Sequence, residues 1–64
     1  MSRRLEAGDI VRVPFGLQDL EATVVRVYES GLGARVTVAI SIDGTDEPFV
    51  TTYPADQVSI VATA

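Results

Sequence analysis

The chain reads as an all-β domain, a five-stranded antiparallel small barrel with one 3₁₀ turn before its last strand. Three features carry that expectation. Arg35 to Ile42 alternates strictly, with Val36, Val38, Ile40 and Ile42 on one side and Arg35, Thr37, Ala39 and Ser41 on the other. Successive residues of a strand point to opposite faces, so this segment has one buried face and one that tolerates water. A helix would scatter the same four apolar residues around its circumference. β-Branched residues recur in short runs separated by glycine, proline and aspartate, the punctuation of strands and turns. Finally, no helical segment is found between the strands.

Residues 1–7 lack alternation and are expected to form a flexible arm, leaving 8–61 as the barrel and 62–64 as a frayed end. Gly8-Asp9 signals a turn before a first strand, Ile10 to Val13, with Val11 and Val13 inward and Arg12 outward. Pro14, which has no N–H to donate, closes that strand. From Pro14 to Glu21 the pattern breaks, and the spacing of Phe15, Leu17 and Leu20 predicts a long packed loop folded over the barrel mouth. Ala22 to Tyr28 is the second strand. Its adjacent Val24 and Val25 interrupt the alternation, which a bulge or burial on both faces would resolve. Ser30-Gly31-Leu32-Gly33 turns the chain into the long third strand, making an antiparallel hairpin from Ala22 to Ile42. Asp43-Gly44 ends that strand. Phe49 to Tyr53 is the fourth, with Phe49, Thr51 and Tyr53 on one face and Val50 and Thr52 on the other. Pro54 to Gln57 has the proline-first composition of a single 3₁₀ turn, and Val58 to Val61 is the fifth strand.

This order resembles that of SH3-like small barrels, in which a 3₁₀ turn separates the last two of five bent strands. Gly8-Asp9-Ile10-Val11-Arg12-Val13, Ala22-Thr23-Val24-Val25 and Tyr53-Pro54-Ala55-Asp56-Gln57-Val58 carry the resemblance. KOW and Tudor domains share the layout, as do small accessory subunits and the N-terminal part of MazF-like toxins. An open OB-like barrel is the alternative architecture. The MazF-like resemblance implies RNA cleavage by an arginine and a neighbouring hydroxyl, with Arg26 as the candidate. Those enzymes carry extra strands and a helix that 64 residues do not hold, so no enzyme is expected.

Composition narrows the function classes. A chain of 64 residues forms one domain at most, and one that buries only about 60% of its unfolded surface. It has no cysteine and no histidine, which removes disulfides, the commonest metal ligand and the commonest proton shuttle. The acids fall at predicted turns, where solvated carboxylates keep similar pKa values instead of dividing into an acid and a base. Asp43-Gly44-Thr45-Asp46-Glu47 concentrates three carboxylates but lacks the spacing of an EF-hand loop, so no metal and no cofactor is expected. The N-terminus has a basic pair without an apolar run behind it, and no stretch approaches the roughly 20 apolar residues of a membrane helix. A cytoplasmic protein with no membrane partner is the expectation.

Two binding functions remain. The first is a non-catalytic interaction module or small accessory subunit, receiving a partner protein or peptide in a groove between the long loop and the 3₁₀ turn. Phe15, Leu17, Tyr28, Tyr53 and Pro54 would line that groove. The second is a KOW-like barrel binding RNA or single-stranded DNA through outward Arg12, Arg26 and Arg35, with Tyr28 or Tyr53 stacking on bases. A net charge of -4, from five arginines and nine acids, favours the first and suggests that the arginines form cross-strand pairs with Glu21, Glu29 or Glu47. A Tudor-like aromatic cage would consume most of the four rings that the core needs. A mean hydropathy of +0.27 and surplus apolar residues at Ile10, Val24, Val50 and Ile60 point to a homo-oligomer or a stable partner.

Overall fold

The alternation of Val11 and Val13, Ala22 and Val24, and Val36, Val38 and Ile40 puts one apolar row from each of three adjacent strands on a common face. All seven are buried and form the core. The computed structural model describes residues 5–44 and 46–62. Five strands, β1 (Ile10–Phe15), β2 (Gln18–Ser30), β3 (Gly33–Ile40), β4 (Phe49–Pro54) and β5 (Ser59–Ala62), form one antiparallel sheet in the order β4-β3-β2-β1-β5. A 3₁₀ turn, Ala55–Gln57, links β4 to β5 and is closed by the Val58 amide donating to the Ala55 carbonyl at 3.2 Å. Burying a valine or isoleucine side chain fully contributes about 1.5–3 kcal/mol, so these few side chains dominate the stability of so short a chain.

The sheet bends around its core but does not close, because β4 and β5 remain its two hydrogen-bonding edges. Leu5, Phe15, Leu20, Ile42, Tyr53, Ala55 and Val58 cover the core from its margins. Of the arm expected over residues 1–7, residues 1–4 lie outside the described residues. Leu5 packs on the core, and a turn from Glu6 to Asp9 is closed by the Asp9 amide donating to the Glu6 carbonyl. Gly8, at φ 96°, supplies the left-handed residue that this turn requires. Of the end expected to fray, Ala62 pairs with Ile10 in β5, and residues 63–64 lie outside the described residues.

The largest departure from expectation is the long loop. Pro14 to Glu21 does not form one, because β1 runs on to Phe15, β2 begins at Gln18, and Gly16-Leu17 alone joins them. Gly16 has φ 66°, which suits a two-residue hairpin with glycine at its first central position. Pro14 is tolerated inside β1 because β5 pairs only with Ile10 to Arg12. Beyond Arg12 that side of β1 is an edge, and a missing N–H breaks no ladder there. The third strand ends at Ile40, not Ile42, although Ile42 still packs on the core. The last strand is displaced by one residue from the expected Val58 to Val61.

The interruption at Val24-Val25 is a bulge. Val24 pairs with Val38 and Arg26 with Thr37, leaving Val25 as the extra residue. Val24 is therefore core and not surplus, while Val25 is about half exposed. The Val24 backbone also bonds Gly8 and Asp9, its amide donating to the Asp9 carbonyl and its carbonyl accepting from Gly8, both at 2.9 Å.

A candidate partner-binding groove beside the hairpin stem

At thirteen residues β2 is the longest strand, and beyond the bulge its residues Arg26 to Ser30, paired with Gly33 to Thr37, extend past the core as a hairpin stem. Because one face of this stem has no sheet opposite it, a groove opens between the stem and the segment from the 3₁₀ turn to β5. Its volume is about 710 Å³. Leu5, Val27, Tyr28, Ala34, Ala55, Val58 and Ile60 line it together with Glu6 and Glu29, the charged residues of the lining among the described residues. Val27 pairs with Val36, so the groove floor continues the core outward. An apolar floor with two carboxylates suits an apolar segment carrying a cation.

The five residues expected to line a single groove are distributed differently. Tyr28 lines the groove described here. Pro54 lies across the sheet from it, since both register with Arg35 on β3. Phe15 packs edge-to-face on Phe49, with ring centroids 5.7 Å apart. Tyr53 donates its hydroxyl to the Pro14 carbonyl at 2.7 Å and packs on the core, tying β4 to the start of the β1–β2 turn. Leu17 sits at the tip of that turn, fully exposed. The loop that was to bring these side chains together is absent, so Phe15 and Tyr53 support the fold at one end, while Tyr28 borders the groove at the other with its ring on the outward face beside Arg26. Leu5, Ala34, Ala55, Val58 and Ile60 were missed because they come from three separate segments that only the bend of the sheet unites.

The three outward arginines also divide. Arg12 approaches Glu21 at 3.7 Å, with both side chains more than half exposed, and such a pair contributes about 0–1 kcal/mol. Arg26 instead places its guanidinium 4.8 Å from the centre of the Tyr28 ring. Among the described residues neither Arg26 nor Arg35 pairs with a carboxylate. Thr37 and Thr52, which share their row with Arg26, contact each other through their hydroxyls at 3.1 Å.

One acid expected in solvent is not there. Asp9 is completely buried, and its Oδ2 accepts a hydrogen bond from the Glu6 amide at 3.0 Å. This carboxylate holds the turn that leads into β1 and carries Leu5 to the groove. Among the described residues no group of three or more carboxylates is placed to hold a metal ion, and no helix is long and apolar enough to cross a membrane. Comparison with protein-family models, curated proteins and solved structures found no match.

Proposed function

We propose that the chain is a non-catalytic protein-interaction module of the cytoplasm, built on an SH3-like barrel, that receives a partner segment in the groove beside the hairpin stem. Strand order β4-β3-β2-β1-β5 and a 3₁₀ turn before β5 support the barrel reading. The observation that carries the function is the groove itself, about 710 Å³ in volume, where apolar side chains lie beside Glu6 and Glu29 among the described residues. Binding sites for extended segments combine such apolar surface with a few polar groups that fix orientation. The segment that fits is apolar with at least one arginine or lysine.

Selection from a random peptide library tests this reading. Enriched peptides should combine apolar residues with a cation, and Ala34→Arg, which fills the groove from an exposed stem, should weaken their binding by at least about tenfold, near 1.4 kcal/mol. Selection without any such enrichment, or binding unchanged in Ala34→Arg, would remove the groove as the binding surface.

Single-stranded nucleic acid is the second reading, favoured by the placement of Arg26, Tyr28 and Arg35 on adjacent strands. With Arg12 beside Glu21, two guanidinium groups of the outward three remain among the described residues to neutralise phosphates. Two contacts give a salt dependence of only about -1.4 in log K against log salt, weak support for a domain of net charge -4.

A further inference from the structure

The strand register fixes what the outer face of the sheet carries. Val50, Ala39, Thr23, Ile10 and Ala62 lie in one row across all five strands. Toward the hairpin tip the next row holds Thr52, Thr37 and Arg26, with the bulged Val25 beside Arg26, and then Pro54, Arg35 and Tyr28. In the other direction come Arg12 and Glu21, and then Pro14 and Asp19. The face thus has a mainly apolar middle, Arg26 and Arg35 without a carboxylate partner at one end, and Asp19 and the Arg12–Glu21 pair at the other. Beside the middle row lies a shallow hollow of about 220 Å³, lined by Ile10, Glu21, Ala22, Thr23, Ala39 and Ser41.

We propose that this face is the interface of a symmetric homodimer, in which Val25 of each copy enters the hollow of the other and Arg26 meets Glu21. A two-fold axis along the middle row lays β2 over β2 with opposite direction. This places the Val25 and Arg26 row of one copy on the Arg12 and Glu21 row of the other, and the Arg35 end on the Asp19 end. The perpendicular axis would lay the end that carries Arg26 and Arg35 over the same end of the other copy, and like charges oppose it. Face-to-face sheets pack about 10 Å apart, a gap that valine at the bulge and the long arginine and glutamate side chains can bridge. Charge also selects a second copy as occupant. The chain carries net -4, yet these rows hold Arg12, Arg26 and Arg35 against only Asp19 and Glu21, so two copies meet where their common negative charge is absent.

Sedimentation equilibrium tests the interface. The wild-type chain should approach twice its 6.8 kDa mass below about 1 mM. Val25→Asp, at a half-exposed position, should keep the amide NMR dispersion of the fold and sediment as a monomer. Arg26→Glu and Glu21→Arg should each weaken the dimer about threefold, and the double variant should restore it. Wild-type monomer at about 1 mM, a Val25→Asp dimer as stable as wild type, or a double variant weaker than both single ones would overturn the proposal.

Discussion

Asp9 shows how much one side chain can decide in a chain this small. Its carboxylate is buried and accepts the Glu6 amide, and its backbone carbonyl accepts the Val24 amide. Asp9→Ala strands the Glu6 donor and should destabilise the fold by about 2 kcal/mol, measured as a lower urea midpoint with unchanged slope. Tyr53→Phe removes only the hydroxyl that reaches Pro14. Its expected loss is about 1 kcal/mol, with peptide binding in the groove unchanged. An equal loss of binding would mean that Tyr53 serves the site as well as the fold. Neither role was legible in the sequence. An aspartate after glycine reads as a turn residue in water, and a tyrosine at the end of a strand reads as an exposed stacking surface. Burial depends on what the rest of the chain places above them.

Among the elements, alternation was the reliable signal. Val11, Val13, Val36, Val38 and Ile40 were expected inward and are buried, because a period of two leaves no other face for them. Pro14 misled, since its missing N–H marks a strand end only where a neighbour would have used it. The Val24-Val25 interruption was readable as a bulge, and the bulge matters more than its one residue suggests. It resets which side chains of Arg26 to Ser30 face the groove and which face outward. Deleting Val25 should leave Val24 opposite Val38, Arg26 opposite Thr37 and Val27 opposite Val36, turning the bulge into a regular ladder with the same faces. The expected outcome is amide NMR dispersion preserved across the β2–β3 hairpin, with Val27 still paired to Val36. Loss of dispersion across the hairpin would show that the fold needs the local bend of the bulge and not only its register.

Across the whole molecule, an incompletely closed sheet leaves different surfaces on its two sides. The inner side carries the core and, where the hairpin stem outruns it, the groove lined by Val27, Ala34, Val58 and Ile60. On the outer side lies the row from Val50 to Ala62, flanked by opposite charges. The strands and the 3₁₀ turn could be anticipated from the order of patterns along the chain. The groove could not, because its lining depends on how far the sheet bends and on which strand is longest, and neither is written in local periodicity. Tyr28 alone was anticipated, as a half-exposed aromatic at the end of a strand. The central claim is that the inner groove, not the outer arginine face, receives the partner. An amide NMR titration with a selected apolar, cation-bearing peptide tests it most directly. Shifts confined to Leu5, Glu6, Val27 to Glu29, Ala34, Ala55, Val58 and Ile60 are the predicted result. Shifts centred on Arg26, Arg35, Thr37 and Thr52, with the groove signals unmoved, would contradict it.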